Sequence, residues 1–487
     1  MVLSRFLSRV QINILVALLV IGAGWQSPAT ARSHPGQFAA SPQQQALVDD
    51  LERRTFDWFW QSADPKTGLV PDSYPGQSFS SIAAVGFGLT AYGIGVERGY
   101  VTRAQAAERT LATLRFFAAA PQNDSEDDAA GYHGFFYHFI DMKTGKRAMR
   151  YVELSSVDTT LLLGGVLFAQ SYYDRDTPQE AEIRQLADTI YRRVDWPWMQ
   201  PRKPLISMGW TPGGKFIPAD WKGYNEGMLL YILALGSPTH PVGPEAWTAW
   251  LSTNHLTWGT FQGQTFLNFA PLLGHQYSES WIDFRGIRDA WSREHDLDYF
   301  ENSRRATYAQ RSYAIANPGH WTGYGANMWG LTASNGPGDL VVKSTEGDRT
   351  FYGYTARGTG LDYISDDGTI APTAAAGSIA FAPEIVVPAL EEMKRRYGAD
   401  IYNRHGFVDA FNPSFHVHTP LRTGKLRPMG WVDSVQLGID QGPIVLMIEN
   451  WRSGFVWNVM KKNPYIRKGL DRAGFEGGWL RADTPTP

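Results

Sequence analysis

The stretch Tyr151–Gly165 reads YVELSSVDTTLLLGG. Ser155, followed three residues later by Asp158 and then by an apolar run, is the pattern of a capped helix start. Its short oxygen-bearing side chain satisfies backbone N–H groups that the first turn leaves open. Glu153 and Asp158 then stand at the mouth of that helix and not along its side. The pattern returns in GYNEGMLLYILALG, where Glu226 follows Asn225 ahead of a second apolar run. Two apolar helices with acids at their N-terminal ends predict a shared pocket.

Working outward, helical periodicity alternates between two kinds of segment. Amphipathic stretches run from Gln43 to Trp60, Arg103 to Ala119, Gln179 to Val194, Glu245 to Leu251, Phe300 to Ala316 and Tyr465 to Ala473. Almost wholly apolar stretches start near Ser81, Ser155, Asn225, Gln264, Ala382 and Gln441. A helix apolar all round is surrounded by protein, whereas an amphipathic one faces water. Six inner and six outer helices with neighbours in sequence packed in space predict an all-α (α/α)6 toroid, with minor β-hairpins such as GFFYHFIDMKTGKRA in its loops. The competing fold is an irregular helical domain plus a small sheet domain built from the glycine-rich region 319–372. No internal repeat and no long linker divides the chain, so residues 32–487 are expected to form one domain.

Composition narrows the chemistry. Of 487 residues, 43% are hydrophobic and 19% charged, and the formal net charge is −3, which lacks the basic excess of a nucleic-acid binder. Aromatic residues make up 13% of the chain, enough to fill a core and still line a sugar-binding cleft. No cysteine is present, which excludes thiolate metal sites and disulfides. Arg5 and Arg9, the apolar run Ile14–Gly24 and Ala29-Thr30-Ala31 form a signal-peptide pattern ending at residue 31. The run is short for a membrane span. A periplasmic or secreted bacterial protein is expected, monomeric and not membrane-bound after cleavage.

In the predicted toroid the inner helices point the same way, so acids at their N-terminal ends converge on one face. These are Glu153 and Asp158 on the second inner helix, Glu226 on the third, Glu384 on the fifth and Asp440 on the sixth. Each has a bland alternative as a capping or dipole-compensating residue. Converging carboxylates among aromatics suit glycoside hydrolysis, in which one acid protonates the leaving oxygen and another activates water or attacks carbon. Glu226, beside Trp221, Tyr224 and Met228, has the more desolvated setting and is assigned as the acid; Asp158 or Glu153 is the base or organises it. No G-x-S-x-G elbow, H-E-x-x-H pair or phosphate cradle competes, and neither metal nor cofactor is expected. The histidines between His405 and His418 read as loop or core residues.

Several segments resemble the bacterial glycoamylase-like domain family, which includes endo-β-1,2-glucanases and a domain of cyclic β-1,2-glucan synthases. They are VELSSVDTTLLLGG, KGYNEGMLLYILALGSPTHP, SWIDFRGIRD, DYFENSRRATYAQRSYAIANP, WGLTASNGPG, FAPEIVVPAL, HGFVDAFNP and GIDQGPIVLMIENWRSGFVW. The resemblance implies the (α/α)6 fold, inverting hydrolysis of β-1,2-glucan, and Glu226 as the acid of the YNE motif. Sugar-contact candidates under it are Trp210, Tyr224, Arg285 and Trp329, with Glu384 and Asp440. Exo-acting release of sophorose, transglycosylation on the same glucan, or non-catalytic glycan binding on the same scaffold are the alternatives.

Overall fold

Three of the inner helices begin directly out of a strand. The computed structural model describes residues 38–76, 78–343 and 347–483, with the side chains of 482 and 483 left aside. The expected signal peptide at 1–31 lies outside the described residues. The chain divides at Ala39–Ala40, and the architecture below is that of the unit Ala40–Pro487. Strand Phe79–Ser81 runs into the first inner helix, Ile82–Glu97; Leu154–Ser155 into the second, Ser156–Tyr172; Gln436–Leu437 into the sixth, Gly438–Ser453. These strands are pinned by others: Phe79–Ser81 pairs with Phe139–Asp141, and Gln436–Leu437 with Ser73–Tyr74. Leu154–Ser155 is the centre of a five-stranded antiparallel sheet with Gly131–Tyr132, Phe135–Tyr137, Gly209–Thr211 and Lys215–Phe216. The short sheets therefore fix where three helix N-termini sit.

The inner ring continues through Met228–Gly236, Leu273–Trp281 and Pro372–Ala376. Hydrogen bonds link neighbours around it: Leu229 N–H to Ser278 Oγ (3.0 Å), Gln276 Nε2 to Ala374 O (2.9 Å) and Thr373 Oγ1 to Asp440 O (2.6 Å). The first and second inner helices touch backbone to backbone, because a Cβ on Gly86 would lie 2.0 Å from Leu161 O and one on Gly165 2.0 Å from Gly86 O. Behind the ring lie Pro42–Ser62, Arg103–Ala119, Pro178–Arg192, Tyr299–Ala316, Pro383–Ile401 and Pro464–Arg472. The helix-rich toroid with small sheets is the predicted fold class. Among the described residues, no helix is long and apolar enough to cross a membrane.

Three sector assignments change. Gln264 does not start a helix: Trp258–Phe261 and Gln264–Leu267 form a hairpin, and the fourth inner helix starts at Leu273. Gln262 (φ 50°) and Gly263 (φ 77°) both adopt the left-handed turn conformation that matches strand twist, which outweighs the short apolar run. The helix expected from Ala382 starts at Pro383, where proline's fixed φ and missing N–H cost nothing, and runs outside the ring. The fifth inner place belongs to the five-residue helix Pro372–Ala376 and the buried turns after it. Finally, the third inner helix is covered by Pro464–Arg472 from the chain's far end. Gly469 allows this approach, since a Cβ there would lie 2.1 Å from Ile232 O. Arg472 adds 2.8 Å hydrogen bonds to Leu235 O and Val242 O.

The glycine-rich region 319–372 makes hairpins that pack, with residues 410–432, around Trp321, Phe351, Phe415 and Trp431. Its keystone is the fully buried Arg357–Asp367 pair (2.8 Å). Arg357 also donates to the carbonyls of Ser334, Tyr352 and Gly353, satisfying the guanidinium that burial would otherwise penalise.

Candidate active site

At the second inner helix, Ser155 Oγ accepts the Asp158 N–H (3.2 Å) and donates to Asp158 Oδ2 (2.5 Å). In the usual capping box the acid reaches back to the cap's backbone N–H. Here the Ser155 backbone is paired with Phe136 and Gly209 in the sheet, so the acid takes the hydroxyl instead. Capping therefore uses one oxygen of Asp158. The other, Oδ1, lies 3.5 Å from Nε2 of His138, whose Nδ1 is 2.9 Å from Glu153 Oε1. His138 sits between two strands, stacked on Phe139 at 3.9 Å, and its N–H donates to Glu153 O (3.0 Å).

Charge follows from this geometry. Burial pulls the His138 imidazole down, but Asp158, Glu153 and Asp72 outweigh it and raise it to about 9. Burial pushes Glu153 up, yet the imidazolium and Arg147 hold it below its ordinary value. Asp158 ends above its ordinary value, because burial and the Glu153 charge exceed what His138 and Ser155 return. Among the described residues, His138, Glu153 and Asp158 form the one His/Asp/Glu group compact enough to share a cation. These atoms already pair with one another, Nδ1 of His138 with Glu153 and Nε2 with Asp158.

Glu226 lies in the turn just before the third inner helix, which starts at Met228 and not at Asn225. Asn225 Oδ1 accepts from Gly227 N–H (2.9 Å) and Trp250 Nε1 (3.3 Å), locking that turn. Glu226 Oε2 is buried without a hydrogen-bond partner. Burial, with Asp158 adding, pushes the carboxyl up to about 7. Asp440 is buried in the first turn of the sixth inner helix, which carries no side-chain cap, so Asp440 is not the cap its sequence context suggests. Burial raises it to about 7, with Asp72 adding and a hydrogen bond to Asp409 opposing. Asp409 is buried and pushed well up, while its Oδ2 accepts the Asn335 N–H (2.8 Å). Burial lifts Asp72 to about 6. Tyr277, on the fourth inner helix, feels Asp440, Tyr354, Glu226 and Asp158; half-exposed Tyr354 feels Asp440, Asp72, Asp409 and Asp158.

The structure thus brings Glu153, Asp158, Glu226 and Asp440 into one electrostatic neighbourhood. The other candidates lie elsewhere. Glu384, on an outer helix, pairs with Arg304 Nη2 (2.6 Å) and accepts from Tyr308 Oη (2.5 Å). Arg285 lies four residues beyond the C-terminal end of the fourth inner helix, chelated by Asp283 and stacked 4.4 Å over Trp457. Trp210 pairs with Leu154, so it projects from the sheet face opposite Glu153 and packs on Tyr132 and Trp198. Tyr224 is buried, its hydroxyl held by His275 (3.0 Å) and Ser303 (3.4 Å). Trp329 is buried, and its indole N–H has no protein partner. Sequence reasoning missed His138, Asp72, Asp409, Tyr277 and Tyr354. Asp409 stands in HGFVDAFNP, a segment that carries the family resemblance, and that was the available signal for it.

Comparison with known proteins places this geometry. Residues 218–464 match the family model described as "Glycoamylase: Putative glucoamylase". The chain is similar to an endo-β-1,2-glucanase from Chitinophaga pinensis, solved with sophorotriose and glucose: 29% identity, TM-score 0.76, covering 91% of this chain and all of that one. A β-1,2-glucanase structure from Parabacteroides distasonis matches at 27% identity and TM-score 0.75, over 88% of this chain and 60% of that one. An exo β-1,2-glucooligosaccharide sophorohydrolase (non-reducing end) of Parabacteroides distasonis is 28% identical over 88% of this chain, which spans 57% of that relative's length. The chain belongs to the glycoamylase-like family.

Proposed function

We propose that the protein is an inverting glycoside hydrolase that cleaves β-1,2-glucan internally, with Glu226 as proton donor. The observation that carries the assignment is the Glu226 carboxyl: at a helix mouth, with Oε2 enclosed and unpartnered, and pushed by burial up to about 7. A carboxylic acid in that state can give its proton to a departing glycosidic oxygen at neutral pH. The opposing carboxylate comes from the Asp158–Glu153 pair, with Glu153 the member kept ionised. A second reading gives that role to Asp440, favoured by its partnerless Oδ2 at the same mouth. The β-1,2-glucan substrate is supported by the names of the relatives, which include both an endo-glucanase and an exo sophorohydrolase. Secretion or a periplasmic location follows from the N-terminal pattern and belongs to the same proposal.

The test is product analysis on linear β-1,2-glucan. A ladder of oligosaccharides of α configuration is expected. Sophorose alone would replace endo with exo action, β products would refute inversion, and no cleavage would leave glycan binding as the function.

A further inference from the structure

We propose that His138 is a positioning residue for this site, a single ring that bridges Glu153 and Asp158, holds the two carboxyl groups at a fixed separation and favours the ionised form of Glu153 beside Glu226. The inference rests on the reading of this mouth as a hydrolase site. Its geometry is independent of that reading. Nδ1 is hydrogen-bonded to Glu153 Oε1 (2.9 Å) and Nε2 lies at ion-pair distance from Asp158 Oδ1 (3.5 Å), so both ring nitrogens face carboxylates. The Nδ1 hydrogen bond needs one ring N–H, and only the doubly protonated ring also turns a charged N–H toward Asp158. The ring cannot drift, since Phe139 stacks on it and its backbone is tied on both sides, N–H to Glu153 O (3.0 Å) and C=O from Ile82 N–H (3.3 Å).

The charged groups facing the ring come from three elements: Asp72 ahead of strand Ser73–Tyr74, Glu153 ahead of strand Leu154–Ser155, and Asp158 in the helix that follows. Arg147 adds a weaker positive influence on Glu153. Burying several carboxylates together forces some of them to hold protons unless a cation is buried with them. A water-activating or nucleophilic carboxylate must be ionised. The bridge meets this requirement while leaving Glu226, which the ring does not touch, free to keep its proton. Removing the ring therefore raises the carboxylates that it pairs with, and the acidic limb of the rate profile, which reports the ionised group of the free enzyme, moves to higher pH.

Two measurements on the full chain test this. In the first, the His138 ring is titrated by NMR, its signal assigned with His138→Gln. The ring should stay protonated past pH 8 and titrate near 9, and in Glu153→Gln the midpoint should fall by about one unit or more. In the second, kcat/KM on β-1,2-glucan is followed against pH for wild type and His138→Gln. The acidic limb should shift up by about one unit, and kcat should fall about ten-fold with KM little changed. An ordinary His138 midpoint near 6.5, or one unmoved by Glu153→Gln, overturns the bridge. An unmoved acidic limb in a folded His138→Gln overturns the positioning role. If the wild type leaves the glucan uncut, the functional reading fails, and the titration still decides the bridge.

Discussion

The helix Gly438–Ser453 carries an acid near each end, and the two ends have opposite surroundings. Asp440, in the first turn, faces Asp409 and Asp72 with no cation paired to it among the described residues, and one oxygen is left without a partner. Glu449, in the last turns about 14 Å along the axis, receives Ser453 Oγ (2.6 Å) and lies in a cluster with Arg98, Arg452 and Glu52. Asp283, just past the C-terminal end of the fourth inner helix, is likewise met by Arg285 and Lys461. At these two places away from the mouth, acids are met by arginine and lysine. At the mouth, acids are packed against acids, and His138 pairs with two of them, Glu153 and Asp158. Such an arrangement raises carboxyl pKa values and lowers stability, which fits a site that handles protons.

The contrast can be broken at several points. The largest effect is expected for Glu226→Gln, which should lower kcat by about 10²–10⁴-fold with the protein still folded, measured by reducing-end release. Next, Glu153→Gln and Asp440→Asn should differ, with the greater loss in Glu153→Gln; the reverse order transfers the second carboxylate role to Asp440. Tyr354→Ala, removing a half-exposed ring within electrostatic reach of these acids, should raise KM about ten-fold and leave kcat within about three-fold, since aromatic stacking on sugar is worth about 1 kcal/mol or slightly more. Stability should respond as well. The folded Glu226 carboxyl titrates near 7, above its unfolded value of 4.5, so its contribution is lost as pH rises between those values. Glu226→Gln should therefore be more stable than wild type above pH 7, by about 1–3 kcal/mol in denaturant melts, and not below pH 4. The smallest effect on rate is expected for Glu384→Gln and Arg285→Ala, within about two-fold in kcat, because these side chains are occupied by ion pairs away from the mouth.

How much of this the chain reveals before folding depends on whether the signal is local. Capped starts at Ser81 and Ser155 are local, so they and the alternation of apolar and amphipathic helices are legible, and with them the toroid. Acids close to predicted helix starts are legible too, which is why Asp158, Glu153 and Glu226 stand among the candidates read from the sequence. The sector errors arise where a two-residue turn outweighs an apolar run, as at Gln262-Gly263, and where a helix that starts as expected packs outside the ring, as at Pro383. Coverage of the third inner helix by residues 464–472 is a long-range contact that no local pattern announces. His138 and Asp72 escape detection for the same reason: they belong to loops and strands, and only the paired strands carry them to the helix mouth. Glu384 shows the converse error, a first-turn acid whose helix is on the outside.

The central claim, that Glu226 supplies the proton to the leaving oxygen, is tested most directly by giving the enzyme a leaving group that needs no proton. Wild type and Glu226→Gln are compared on β-1,2-glucan and on an aryl β-glycoside of sophorose bearing a nitrophenolate leaving group. The account predicts that Glu226→Gln is crippled on the glucan yet approaches wild-type turnover on the aryl glycoside. Equal losses on both substrates would contradict it.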